Sequence, residues 1–343
     1  MQFDATALAF AVDERGVPLA GRRAEHRALA DAGFANLSFG RLFEGHVNAL
    51  QLVARLGTAA QREAAAADAA AGKLFGVWNT QDAQDGVKLV AVRGRRVLRG
   101  RKTFASGAGT VARGLITAAL PEGGTQLVLL RMDELAPPVD RFSWRPLGME
   151  QSDSYAVSFD EIPVRDADLI GAPDTYEAAP WFFGGALRYV AVQTGGLERL
   201  RAETVRYLDA LGYAGSPYQK VRVAEIAVAV ETARHWVAAG ADAWTAFDAE
   251  PSAERADTIL ALADMARVAV EKAAFEVIER VEKCVGARGL LDPQPFGRIL
   301  RDLTMYVRQP APDATLARIA ERETAAPAAA CNTATARATG TRP

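Results

Sequence analysis

The hydrophobic period of this chain changes twice, and few folds accept that order. Up to about residue 72, apolar residues recur at helical spacing. "RRAEHRALADAG" closes on Gly33, in the place of a helix-ending glycine. "FEGHVNALQLVARLG" sets Val47, Leu50 and Leu52 to Leu56 near one face, and Thr58 stands as N-cap to the Ala-rich "AAQREAAAADAAAG". From Lys73 the runs shorten. "LFGVWNT", "VKLVAV", "RRVLRG", "RKTFAS", "GLITAAL" and "QLVLLRM" are β-branched and aliphatic, with Gly or charged turns between them. "YAVSFDEIPV" continues the series, which closes near Gly171. From about Tyr176 the helical period returns. "GGLERLRAETVRYLDALG" is followed by a segment opened by Ser216 and Pro217, a longer one capped by Ser252, and "FGRILRDLTMYVRQ".

This pattern predicts an α+β chain: an N-terminal helical domain over 1–72, a central antiparallel β-barrel or sandwich over 73–172, and a C-terminal four-helix bundle over 173–323. Residues 324–343, "TAAPAAACNTATARATGTRP", have little to bury and read as a disordered tail. A net charge of −2 gives no argument for nucleic acid or an anionic membrane. No apolar run approaches the roughly 18–20 residues that span a bilayer. The cysteines, Cys284 and Cys331, do not suggest a disulfide framework, and no secretory signal follows Met1, so a reducing cytoplasmic setting is expected. No His/Cys/Asp/Glu cluster has metal-ligand spacing, and neither a nucleophile elbow nor a P-loop is present.

Four stretches in this order carry a resemblance. "WRPLGMEQSDSYAVSFDEIPVRDADLIG" (144–171), "LFGVWNTQ" (74–81), "GRKTFASGAG" (100–109) and "VGARGLL…GRILRDL" resemble motifs of acyl-CoA dehydrogenase-like flavoproteins. The matches span roughly residues 25–322, with the N-terminal domain shortened. The resemblance implies FAD as cofactor, with FMN as the alternative. It implies that Trp78, Asn79, Thr80, Phe104 and Ser106 line the flavin, Thr80 at its pyrimidine edge, Ser106 near N5 and Phe104 on the ring face. A hydroxyl on a rigid strand is a directional donor of the kind such a ring needs. Read without the resemblance, these are ordinary strand residues. Gly286, Arg288 and Gly289 of "GARG" would meet the cofactor of a neighbouring subunit; the plainer reading is a helix end.

The reaction is less legible. The family's catalytic glutamate would stand within "TMYVRQPAPDATL", which holds only Asp313, or early in "FFGGALRYVAVQTGG", which holds no acid. "DAQDG" (82–86) replaces the family's Pro-Gly loop, and "LGYAG" (211–215) its Arg-x-x-Phe-Gly. Tyr306 remains as candidate acid or base, needing a cation such as Arg301 or Arg308 to lower its ordinary value of about 10. His46, Arg188 and Arg301 are candidate substrate contacts. The leading expectation is an FAD-dependent oxidoreductase acting on the CH–CH group of an acyl-type small molecule, an acyl thioester among the options. The alternatives are a reduced-flavin-dependent monooxygenase of the same superfamily, served by a flavin reductase or electron-transfer partner, and a non-catalytic subunit. The long amphipathic helices suggest a homodimer or homotetramer.

Overall fold

The computed structural model describes residues 10–80, 84–308 and 311–325 of the 343-residue chain. Three helices come first: α1 (Arg22–Ala35), α2 (Leu37–Leu56) and α3 (Ala59–Ala70). Asn36 caps α2 by accepting from Phe39 N at 3.1 Å, and Thr58 and Gln61 form a reciprocal capping box on α3. The strands follow: β1 (Phe75–Trp78), β2 (Lys88–Val92), β3 (Arg95–Arg99), β4 (Arg101–Ala105), β5 (Arg113–Ala119) and β6 (Thr125–Arg131). A short helix, α4 (Met132–Leu135), precedes β7 (Val139–Asp140), β8 (Tyr155–Ser158), β9 (Ile162–Pro163) and β10 (Leu169–Ile170). The rest is helical: α5 (Trp181–Gly184), α6 (Ala186–Ala210), α7 (Pro217–Ala249), α8 (Ala253–Gly289), α9 (Phe296–Tyr306) and α10 (Pro312–Ala325).

Seven strands form one sheet in the order β10-β6-β5-β2-β3-β9, with β1 also paired to β5; β4, β8 and β7 form a second sheet. The pairings are antiparallel except those of β1 and β2 with β5, which are parallel. The purely antiparallel expectation fails at β1 because that strand enters from α3 rather than through a hairpin. β5 is buried along nearly its whole length, as the centre of a sheet should be.

The helical core runs from Leu29 and Val47 through Val190, Leu197, Ile259 and Leu303. Its closest approach is the crossing of α1 on α6. Gly33 lies inside α1 rather than ending it, because a side chain there would strike the Val192 carbonyl. A Cβ on Gly195 would likewise collide with the Ala30 carbonyl. The two glycines let the helix backbones touch, which serves packing rather than chain reversal. Ser252 caps α8 through Arg255 N at 3.2 Å, whereas Ser216 makes no side-chain cap and α7 starts on Pro217 alone. Thr324 and Ala325, placed in the tail by the sequence, belong to α10; residues 326–343 lie outside the described residues. Among the described residues no helix is long and apolar enough to cross a membrane.

The crossing makes a testable demand. Gly195→Ala should cost about 1–3 kcal/mol in urea denaturation, since the new methyl must push two helices apart. Gly215→Ala, which meets nothing within 4 Å, should stay within experimental error of the parent.

Candidate functional site

A wall forms where β1 meets the end of β4. Trp78 is buried, and its indole Nε1 donates to the Ser106 carbonyl at 2.9 Å. Thr103 N donates to the Thr80 carbonyl at 3.2 Å, which ties the two strand ends together. The β4–β8 register slips between Lys102 and Ala105. That irregularity puts Phe104 at φ +52°, in left-handed backbone that a phenylalanine adopts only when its surroundings impose it. The strain turns its ring outward. Phe104 is 56% exposed and is braced edge-on by Trp144 at 5.8 Å. Thr80 is exposed beside it.

Two of the expected donors are otherwise engaged. The Asn79 amide oxygen accepts from Thr117 Oγ1 at 2.8 Å. Lys102, fully buried, donates to the Asn79 carbonyl and to Thr117, and burial pushes its ammonium down to about 7. Asn79 therefore anchors the sheet. Ser106 is buried with its hydroxyl 2.9 Å from Ser154, which is 2.8 Å from Ser152, which donates to the Met149 carbonyl at 2.7 Å. If each hydroxyl gives its one proton along this chain toward the carbonyl, Ser106 keeps only acceptor capacity for a ligand.

The Met149 end of that chain is held by the bundle. Asp302 is buried on α9 and accepts from Met149 N at 2.5 Å. Gly148 presses on the Arg301 carbonyl so closely that any side chain would collide. Gly148-Met149 and Arg301-Asp302, more than 150 positions apart, thus form one clasp. Arg301 itself is exposed.

A crevice too narrow to hold a water molecule lies beside the wall, lined by Arg41, Gly45, Gly76, Val77, Ser106 and Val111 among others. Arg41, on α2, donates to Glu44 at 2.7 Å, and the other oxygen of Glu44 lies 3.5 Å from Arg188 Nε. Arg188 is spent in this network, with Asn48 at 2.7 Å and Gln51 at 3.2 Å. Burial drives the Tyr306 phenol far above its usual range, and Arg41, not Arg301 or Arg308, is the cation that opposes it. Arg308 pairs with Glu271 and lies over Phe275. Tyr306 therefore stays protonated at neutral pH, a donor and not a base, and its neighbour Tyr189 is raised in the same way by burial. His46 is fully buried; its Nδ1 accepts from Phe75 N at 3.1 Å and its ring stands edge-on to Phe75, so it pins α2 to β1. Asp313 is exposed in the first turn of α10.

The glycine turn lies elsewhere in the chain. Gly286, at φ +58°, breaks the run of α8, and Gly289 packs on Val285. The carbonyls of Lys283 and Cys284 accept from Arg222 and Gln219 of α7. Arg288 is exposed, without an ion pair among the described residues. Glu44, in the very stretch that holds His46, is the functional candidate that sequence reasoning missed. Its signal was a carboxylate at i+3 from Arg41 on a helix.

The comparisons agree with this architecture. The acyl-CoA dehydrogenase C-terminal domain matches residues 197–309. Butyryl-CoA dehydrogenase from Megasphaera elsdenii superposes with a TM-score of 0.79 at 16% identity, over 93% of this chain and 88% of that one. The chain has the acyl-CoA dehydrogenase-like fold, and its residues 197–309 match that family's C-terminal domain. FMN-bound TdsC from Paenibacillus sp. A11-2 shares the fold with a TM-score of 0.77 at 19% identity, over 92% and 86%. A curated relative, dibenzothiophene monooxygenase of Mycolicibacterium goodii, is 26% identical over 235 residues, which are 60% of this chain. The match spans 56% of that relative's length. The clasp gives the Gly148-Met149 and Arg301-Asp302 pairs of this chain one shared structural role.

Burial holds the Asp302 carboxyl above its ordinary 3.8. A raised acid destabilises the fold above its unfolded value, so its contribution falls as pH climbs through that window. Asp302→Asn keeps an acceptor for Met149 N and should remove this pH dependence with little loss at pH 7. Asp302→Ala strands the amide and should cost about 1–3 kcal/mol. Denaturation midpoints of the two variants from pH 4 to 7 test this; equal losses in both would refute the clasp.

Proposed function

We propose that the chain is a flavin-dependent oxidoreductase that acts as a reduced-flavin monooxygenase on a small molecule, with FMN or FAD as its cofactor. The residues present fit a flavin. Phe104 offers an exposed aromatic face on a strained, braced backbone, and Thr80 a hydroxyl beside it. When bound, the flavin supplies electrons for oxygen activation. The chain's own groups orient the ligand, and Tyr306 and Tyr189 hold their protons.

The observation that carries oxygenation over dehydrogenation is the fate of Glu44, the acid bonded to Arg41 of the crevice lining. Removing an α-proton needs a free carboxylate. Glu44 is clamped between Arg41 and Arg188, and the phenols beside it are raised, not lowered. The relatives named as a monooxygenase and as FMN-bound support the same reading. The CH–CH reading, with FAD and an acyl thioester, ranks second. The loop at 82–86 that would meet such a thioester is described only from Gln84.

Assembly as a homodimer or homotetramer is part of the proposal. Leu211, Tyr213, Tyr218, Val221, Leu290 and Leu291 are all exposed. They lie on the segments that bracket the glycine turn, and such a patch on one chain calls for cover. A partner there would bring Gly286, Arg288 and Gly289 to a second copy's cofactor.

The purified chain should bind FMN or FAD. Phe104→Ala should weaken that binding by up to roughly tenfold, through lost ring stacking. With a flavin reductase supplying reduced FMN, one atom of ¹⁸O₂ should enter a product formed from indole. Anaerobic bleaching of the bound flavin by butyryl-CoA would instead establish the dehydrogenase reading. A chain that binds neither flavin would leave the non-catalytic role.

A further inference from the structure

We infer that Arg41 is an anion anchor, so that the small molecule taken by the crevice carries a carboxylate-like oxyanion. This rests on the functional reading above for the identity of the site, but not for the charge argument. Arg41 lines the crevice together with Gly45, Gly76 and Ser106, its Nη1 3.4 Å from where a side chain on Gly45 would begin. Its guanidinium has five N–H donors, and the one bond it makes among the described residues is Nη1 to Glu44. Its side chain keeps 26% of its surface exposed, on the crevice side of an otherwise buried network.

The donor set favours an anion. Arg188 interacts with the carboxylates of both Glu44 and Glu25, and Glu25 is held through Gln51. Arg41 bonds to Glu44 alone among the described residues, and the rest of its fork has no acid bonded to it. The phenols that interact with Arg41 are Tyr306 and Tyr176, and both stay neutral because burial raises them. Ser106, with acceptor capacity alone, adds no competing cation.

The backing is stiff where it needs to be. Glu44 lies one turn from Arg41 on the same helix, and Arg188 reaches it from α6, locked by two further bonds. A planar fork held from behind presents its free edge to a carboxylate in two-pronged geometry. Glu44 is thus a positioning residue for Arg41. The crevice is too narrow to admit water as it stands, so an oxyanion would meet the exposed edge of the Arg41 guanidinium at the mouth of the slot.

Benzoate and its neutral isostere benzamide test the assignment on the full chain, as purified and after FMN loading. Binding is read from tryptophan fluorescence and, where flavin is present, from its absorbance. The parent should bind benzoate at least roughly tenfold tighter than benzamide. Arg41→Gln should erase that preference while flavin content stays unchanged, and Arg41→Lys should keep part of it. Glu44→Gln, which removes the competing carboxylate, should tighten benzoate binding, an effect that structural damage would not give. Equal binding of the two probes, no saturable binding of benzoate, or an Arg41→Gln variant that keeps the preference would overturn the inference. Loss of flavin from Arg41→Gln would transfer Arg41 to the cofactor and overturn it too. A chain that binds no flavin yet prefers benzoate would sink the functional reading and leave the anchor standing.

Discussion

The hydrogen bond from Met149 N to Asp302 is the joint on which the site depends. It is a buried bond between the helical bundle and a loop of the β unit. Met149 sits at φ +63° and Asp153 at φ +45°, so the loop between them is strained and needs an external hold. From Met149 the support spreads outward. Its carbonyl accepts from both Trp144 and Ser152. Trp144 braces Phe104, and Ser152 begins the hydroxyl chain to Ser106. Gly107 N donates to the Ser152 carbonyl at 2.8 Å and closes the wall. An aromatic face and a strained strand end on the β unit are therefore set by a carboxylate on α9.

Much of this architecture was legible in the sequence because it follows from period and capping. The switch at Lys73 from helical to strand spacing, the caps at Thr58 and Ser252, and the long segments after Tyr176 are local signals, and local physics decides them. Gly33 shows where local reasoning stops. As a string, "LADAG" looks like a helix end; in space the glycine is demanded by Val192 of α6, more than 150 residues away. The parallel β1–β5 pairing is hidden for the same reason, since a strand's period says which face it buries and not which way its neighbour runs.

The site divides along the same line. Phe104 and Thr80 sit at an exposed strand end, where a side chain has few partners to choose among, and the motif alone points to them. Asn79, His46 and Arg188 are polar groups on buried faces. A buried polar group must find a partner somewhere, and that partner can come from any element. Asn79 found Thr117, His46 found Phe75, and Arg188 found Glu44, Asn48 and Gln51. No one-dimensional pattern distinguishes a histidine that pins two elements from one that meets a ligand.

The same accounting bears on the chemistry. An enzyme that pulls a proton from carbon must keep a carboxylate unpaired at a dry site, which costs desolvation. This chain does the reverse. It places its crevice-side acid between two guanidiniums and surrounds the pair with phenols that burial keeps neutral. Such a set can bind and orient a ligand and can donate hydrogen bonds, and it has no group ready to accept a proton at neutral pH. If electrons and oxygen reach the ligand from the Phe104 side, the protein need supply only position and charge. That division of labour is consistent with an arginine of α2 in the crevice lining.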